Sequence, residues 1–293
     1  MKPEIDPALG LALHHERTLP DRRGSTADVV IPAHNEQATI VQVVQDAHKA
    51  LTELDVQGGR VIVSASGCTD NTAELAQGAG AEVVISPAGK GRAMLAGIQA
   101  STAEIICLID GDFEYFGGRP LASELLDPII RGVCDATIAD LHWRPLYPQL
   151  WLLGFFTPLA GRIFPEMLPA VGHTPWSGQR AAVRSAWPST LPDDFTSDLA
   201  ILLHWLDIDI TLRPVVADDW TNPQRPKPDL MRAECDLLIK HAIHRNRISE
   251  KEAEELRGWF SKAHSFMAEY DPGTHEPKEF EKALMNKSLA ALP

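Results

Sequence analysis

Two aspartates separated by one glycine, Asp110-Gly111-Asp112, follow directly on the apolar stretch Glu104 to Ile109. Both carboxylates can project from the end of such a strand, with Gly111 giving the backbone room. Two carboxylates and two phosphate oxygens make the oxygen shell that Mg2+ or Mn2+ prefers, and the cation then offsets charge developing on a departing diphosphate. The same three residues can also form a plain Asp-Gly turn with solvated carboxylates; a place at the end of a strand favours the cation. A second acidic run, Asp193-Asp194-Phe195-Thr196-Ser197-Asp198, introduces an apolar helix, so one of its members is a candidate helix cap. The histidines, His14-His15, His34, His142, His173, His204, His241 and His244 among them, show no zinc spacing. Only His34 is singled out, for its place in a loop that follows a strand.

These groups need a frame, and hydrophobic periodicity supplies one. Asp28 to Ile31 reads as a strand that runs into the loop Pro32-Ala33-His34-Asn35-Glu36, after which Ile40, Val43, Val44 and Ala47 recur at helical spacing. Val61-Ile62-Val63 is a second strand, closed by the polar segment Ser64 to Thr72 and followed by a helix carrying Ala73, Leu75 and Ala76. Glu82 to Ile85, Gly91 to Ala100 and Glu104 to Ile109 continue the alternation as strand, helix and strand. The fold class is therefore α/β, a mostly parallel sheet with helices on both faces. Ligands of open sheets sit outside the carboxyl ends of the strands, where each polar motif falls. Beyond Arg119 the regularity weakens, Trp and Pro become frequent from His142 to Pro192, and mixed strands are expected. Ser249 to Leu292 is charged, with Ala253, Leu256 and Phe260 at helical spacing, and reads as helices packed on the body or on a second subunit.

The order and spacing of Val29 to Glu36, Ser66-Gly67-Cys68-Thr69-Asp70-Asn71-Thr72 and Asp110-Gly111-Asp112 resemble those of family 2-like glycosyltransferases of the GT-A fold, over roughly the first hundred and twenty residues. Pro87-Ala88-Gly89-Lys90-Gly91-Arg92-Ala93 and Ser177-Gly178 resemble, within that superfamily, the retaining glucosyl-3-phosphoglycerate synthase group. The resemblance implies a Rossmann-like GT-A domain with its nucleotide-sugar half at 28–120, its acceptor half at 121–248, an N-terminal extension 1–27 and a helical segment 249–293. It implies a UDP-sugar donor, a small hydroxylated acceptor, Mg2+ or Mn2+, and a homodimer.

By the same resemblance, Pro32, Ala33, His34, Glu36 and Ser66 surround the nucleoside, with Ala33 backbone groups on uracil and Glu36 on the ribose or base edge. An acidic pair frequent in the superfamily is replaced here by Ser64-Ala65-Ser66. Lys90 reaches the diphosphate from a helix N-terminus, where free N–H groups also favour an anion. Asp110, Gly111 and Asp112 hold the donor and cation. A late aspartate, Asp219 or Asp218, stands where the synthase group has a histidine ligand, and carboxylate is an adequate hard ligand. Asp198 is the group that deprotonates or orients the acceptor hydroxyl. Ser177, Gly178 and Arg180, with Arg184 as an alternative, approach the sugar or an anionic acceptor. Gly161-Arg162-Ile163-Phe164 stands in for a Gly-Arg-Val-Thr element that grips phosphoglycerate, and the aromatic in place of Thr argues against that acceptor while leaving Arg162 for another anion. Trp143, Tyr147, Trp151, Phe155, Phe156, Phe164 and Trp176 are either core or stacking surfaces for an acceptor.

Composition limits the rivals. The 293 residues carry a formal charge of −13, which repels a phosphodiester backbone and excludes a large nucleic-acid interface without a basic patch, and none is visible. Cys68, Cys107, Cys134 and Cys235 form no CxxC pair and read as free thiols of a cytoplasmic protein. Met1 to Arg23 lacks the pattern of a secretory signal, and the apolar stretch Leu150 to Ala160 is too short to span a bilayer, so no stable membrane insertion is expected. A nucleotidyltransferase is opposed by the Pro-Ala-His-Asn-Glu loop, which lacks the Gly-rich, Arg-bearing character that chemistry needs. A catalytically silent nucleotide-sugar-binding protein and a polyprenyl-phosphate glycosyltransferase using Leu150 to Ala160 stay open as alternatives.

Overall fold

The computed structural model describes residues 19–141, 150, 152–171, 177–217, 219–221, 228–271 and 273–293. The chain runs β1 (Ala27–Ala33), α1 (Ile40–Glu53), β2 (Val61–Ser66), α2 (Thr72–Gly78), β3 (Glu82–Ser86), α3 (Lys90–Ala100), β4 (Ile105–Leu108), β5 (Glu114–Tyr115), α4 (Leu121–Ile130) and β6 (Ala136–Leu141). A π-helical turn at Leu152–Phe156 leads into α5 (Thr157–Ile163) and α6 (Met167–Val171). Then come β7 (Arg180–Val183), α7 (Ser197–Asp207), β8 (Leu212–Ala217), β9 (Trp220–Thr221), α8 (Pro228–His244), α9 (Glu250–Met267) and α10 (Pro277–Ala291). Two compact units result, one from residues up to 142 with 170–223, the other from 143–169 with 224–293. This grouping does not follow a division at 120 and 248.

The first unit is built on a seven-stranded sheet in the order β3-β2-β1-β4-β7-β6-β8. Every pairing is parallel except those of β7, which runs antiparallel to β4 and β6. The α/β class and mostly parallel sheet read from sequence are borne out. β1 is buried at every position, as a central strand covered on both faces must be. α1 buries Ile40, Val43, Val44, Ala47, Ala50 and Leu51, one stripe at helical spacing. Asp28 is tolerated inside β1 because Arg60 Nη2 (2.9 Å) and Ser101 Oγ (2.8 Å) donate to its Oδ2.

Strand order reverses between β1 and β4, since β2 and β3 extend to one side of β1 while β4 pairs on its other edge. Such a switch point opens a crevice at the carboxyl ends. Because β7 is antiparallel and Leu108 pairs with Arg180, the residues that precede β7 reach the same end of the sheet. β5 and β9 form a small separate ribbon, Tyr115 opposite Trp220, with Phe113 stacked on Trp220 at 5.6 Å between ring centroids.

Two boundaries differ from the reading of the sequence. Pro32 and Ala33 are the last residues of β1 and Ser64 to Ser66 the last of β2, paired in register as Pro32↔Ser64 and Ala33↔Ala65. Ladder pairing carries serines into the sheet because Ser64 Oγ meets Ser86 Oγ at 3.4 Å and Ser66 Oγ donates to Pro87 O at 2.7 Å.

In the second unit the apolar stretch is core. Phe155, Phe156, Leu159 and Ala160 are fully buried, Phe155 lies edge-on to Phe260 at 4.9 Å, and Ser288 Oγ donates to Gly154 O at 2.8 Å. The C-terminal helices therefore pack on this stretch, and α9 starts at a capping box formed by Ser249 and Glu252. No helix among the described residues is long and apolar enough to cross a membrane.

Candidate active site

Five loops meet at the carboxyl end of the first unit's sheet: those after β1, β2, β3 and β4, and the one before β7. Their centre is an ammonium group. Lys90, at the start of α3, places Nζ 3.2 Å from Asp110 Oδ1, 3.3 Å from Asp110 Oδ2 and 2.8 Å from Asp198 Oδ2. Burial works against the charge on Lys90, but the two carboxylates outweigh it and raise its pKa well above the ordinary lysine value. Lys90 is thus a fixed cation that keeps its proton. Its Nζ also lies 5.6 Å from the Phe195 ring centroid, and that ring is partly exposed at the crevice.

Each carboxylate has a holder from the head of β7. Gln179 uses both ends of its amide on Asp110: Oε1 accepts from Asp110 N (2.8 Å) and Nε2 donates to Asp110 Oδ2 (2.9 Å). Gly178 is required there, because a Cβ would collide with the Asp110 carboxylate. Arg180 is fully buried; Nη1 donates to Asp198 O (3.0 Å), Nη2 lies 3.4 Å from Asp198 Oδ1, and Nε donates to Ser177 O (2.9 Å). Burial lowers the Arg180 pKa, with Asp198 and Asp110 acting in the opposite direction. Two cations and two anions balance, which is how four charged side chains can be buried together.

The start of α3 is also taken. Gly91 N donates to Asp193 O (3.2 Å), and a Cβ at Gly89 or Gly91 would strike the Asp193 or Pro192 carbonyl. Gly89 itself has φ +141°, open to glycine and rarely to other residues. Arg92 pairs with Asp193 on the outer side.

The loops after β1 and β2 are sewn together. His34 Nδ1 donates to Ser66 O (2.6 Å), a carbonyl that can only accept, and the ring itself is exposed. Asn35, at φ +59°, accepts from Thr69 N (2.8 Å), Thr72 Oγ1 accepts from Glu36 N (2.8 Å), and Asp70 accepts from Thr72 N (3.1 Å) and Gln37 N (3.2 Å). The turn after β4 docks on β1 through Gly111 N to Pro32 O (3.2 Å) and Thr39 Oγ1 to Gly111 O (2.7 Å). Asp112 is half-buried at that turn.

Several expectations need correction. The guanidinium of Arg180, expected on an anionic acceptor, is buried and spent on Ser177 and Asp198, so it is a strut. Arg184 lies at the opposite end of β4, where it donates to Ala103 O (2.7 Å) and Ser101 Oγ (3.0 Å). Ser66, expected beside a base, is buried and gives its hydroxyl to Pro87 O. The Ala33 carbonyl faces Cys68 Sγ at 3.5 Å. Arg162 belongs to the second unit, with Nε on Pro293 O (3.2 Å) and Nη2 at 3.8 Å from Glu252. Asp219 is exposed beside β9, its carbonyl accepting from Phe116 N (2.8 Å), which ties it to the chain just beyond Asp112. Asp218, Trp143, Tyr147, Trp151 and Trp176 lie outside the described residues. Among the described residues no three His, Cys, Asp or Glu side chains group as a metal cage. Gln179 falls in the segment the sequence sets against the sugar, but a lone glutamine carries no motif that would single out its side chain.

Residues 28–163 match the family described as glycosyl transferase family 2. Glycosyltransferase AglJ of Haloferax volcanii is 35% identical over 114 residues, 38% of this chain and 35% of that protein. Glucosyl-3-phosphoglycerate synthase of Mycobacterium tuberculosis is 29% identical over 184 residues, 56% of this chain and 55% of the synthase. Protein RfbJ of Shigella flexneri is 30% identical over 111 residues, 38% of this chain and 81% of RfbJ. The chain thus spans about half or less of the length of the first two relatives. The solved structure of the M. tuberculosis synthase in complex with Mn2+, UDP-glucose and phosphoglyceric acid superposes with a TM-score of 0.62 at 25% identity, covering 76% of this chain and 81% of the synthase.

Proposed function

Because the chain belongs to glycosyltransferase family 2, we propose that it transfers a hexosyl group, glucosyl first among them, from a UDP-sugar to a small hydroxylated acceptor with retention, using Mg2+ or Mn2+. The observation that carries this reading is the buried Lys90 ammonium set between Asp198 and Asp110, with only Gly111 separating Asp110 from Asp112, at the switch point of the sheet. The synthase relative, which shares the fold, is described with Mn2+ and UDP-glucose.

The residues present fit a cation that arrives with its nucleotide. Asp112 supplies a hard oxygen at the turn after β4, and Asp219 is a second carboxylate on a segment bonded to Phe116. Asp110 is already committed to Lys90 and Gln179. Among the described residues the protein donors are few, and diphosphate oxygens would supply the remainder of the oxygen ligands. At these residues a divalent cation would supply positive charge against the leaving diphosphate.

The chain's own residues then have distinct tasks. Lys90 acts by fixed charge, since its raised pKa bars it from giving up a proton, and it faces the side on which diphosphate charge grows. Asp198, held through Oδ1 by Arg180, shares Oδ2 with Lys90 and orients the acceptor hydroxyl. Among the described residues the carboxylate that shares Lys90 with Asp198 is Asp110, held by Gln179, so in a retaining transfer the departing phosphate oxygen takes the acceptor proton on the same face. Phosphoglycerate is disfavoured as acceptor: Phe164, in place of a threonine, is buried under the Arg247 guanidinium at 4.6 Å.

The test is UDP release from a panel of nucleotide sugars with and without Mn2+. Release from one donor, lost without metal and about 100-fold slower in Asp112→Ala, is the expected result. Metal-dependent UDP binding with no release across donors and acceptors would instead leave a nucleotide-sugar-binding protein without catalysis.

A further inference from the structure

We propose that Gln179 is a positioning residue: its side-chain amide clamps Asp110 at two points and thereby aims that carboxylate at Lys90. In its catalytic meaning this rests on the transferase reading above; the clamp itself does not.

An aspartate at the end of a strand has free rotation at χ1 and χ2 and, facing a crevice, would sample several directions. Gln179 removes that freedom. Its Oε1 accepts from the Asp110 backbone N–H at 2.8 Å and its Nε2 donates to Asp110 Oδ2 at 2.9 Å, so one planar group reads both the backbone and the side chain of the same residue. The amide is itself fixed. Gln179 is 1% exposed, its own N–H donates to Ser177 Oγ (3.2 Å), and its carbonyl accepts from Ala139 N (2.9 Å) on the neighbouring strand. Gly178 makes the approach possible by presenting no Cβ to the carboxylate.

The amide also decides what Asp110 can bind. With Oδ2 shared between Gln179 and Lys90, and Oδ1 facing Lys90 at 3.2 Å, both oxygens serve the ammonium. Isolated side-chain amides of this kind carry no charge, so the clamp orients Asp110 without competing for Lys90. Loss of the amide leaves the Asp110 backbone N–H without its acceptor and the carboxylate free to swing, and Lys90 then keeps one firm partner, Asp198.

The experiment compares the full chain with Gln179→Met, which has a similar length and neither a donor nor a strong acceptor. Lysines are acetylated under limiting reagent and quantified by peptide mass spectrometry, and UDP release from UDP-glucose with Mn2+ is followed in parallel. The expected result is Lys90 acetylated about tenfold faster in the variant, exposed Lys49 unchanged as the control for reagent, hydrogen exchange across β1 and β2 unchanged as the control for folding, and a lower kcat with KM for UDP-glucose nearly constant. Equal Lys90 protection in both proteins overturns the clamp. Faster exchange across β1 and β2 as well means general loosening and also overturns it. If the wild type releases no UDP while Lys90 protection still depends on Gln179, the clamp stands and the transferase reading is what fails.

Discussion

The four charged side chains at the crevice divide by role. Lys90 draws Asp110 and Asp198 together, while Arg180, with the neutral amide of Gln179, holds those carboxylates from behind. A fully buried guanidinium is retained only if its donors are used, and Arg180 spends them on Ser177 O and on the carbonyl and carboxylate of Asp198. Arg180→Met leaves Asp198 buried with one counter-charge fewer and is expected to cost about 3 kcal/mol in stability, read by denaturant unfolding. Arg180→Lys should recover little of it, because a point ammonium cannot bond Ser177 and Asp198 together as a planar fork does. A variant as stable as wild type would show that Arg180 is not a strut.

At the scale of elements, the start of α3 and the loop before α7 behave as one piece. Glycine at 89 and 91 lets the Pro192 and Asp193 carbonyls lie on the first turn of α3, and the Gly91 N–H bonds to Asp193 O. Lys90 sits between these two glycines and is thereby delivered to Asp198, only five residues beyond Asp193. Gly91→Ala puts a methyl group into the Pro192 carbonyl, a backbone atom that can yield only if the whole loop moves. The expected cost is about 2 kcal/mol, with faster hydrogen exchange across residues 188–198 and slower UDP release. Unchanged exchange in that segment would separate the two elements. The Gly89-Lys90-Gly91 spacing was legible in sequence; what the glycines make room for was not, since Pro192 is a hundred residues away.

On the scale of the whole molecule, the second unit is assembled from two stretches of chain, and its core explains why an apolar run too short for a bilayer exists at all. Gly154 lets Met267 and Leu284 close on the π-helical turn, where a Cβ would come within 2.8 Å of Leu284 and 2.9 Å of Met267 Sδ. Gly154→Val overfills this contact and is expected to destabilise by about 2 kcal/mol, seen as a lower melting temperature and earlier proteolysis of the C-terminal helices. Retention of the wild-type melting temperature would mean that α9 and α10 do not pack there. Cys107, Cys134 and Cys235 are buried free thiols, and burial pushes the Cys134 pKa up to about 12, so these three are packing residues and not reactive groups.

Local pattern alone determined the alternation of strands and helices, the arrival of polar residues at the strand ends, the Asp-Gly-Asp turn and the helical tail with Ala253, Leu256 and Phe260 on one face. Each depends on spacing within a few residues, where side-chain direction follows from the 2.0 and 3.6 residue periods. Tertiary structure decided the rest. Ser64 to Ser66 became strand because β1 and β3 offered ladders on both sides. Arg180 became a strut because antiparallel β7 inserted between β4 and β6 and placed it beneath Asp198. Asp110 became a partner of Lys90 because Gln179, 69 residues later, reached back to hold it. Contacts between residues so far apart follow from how the sheet is ordered, which no local period records.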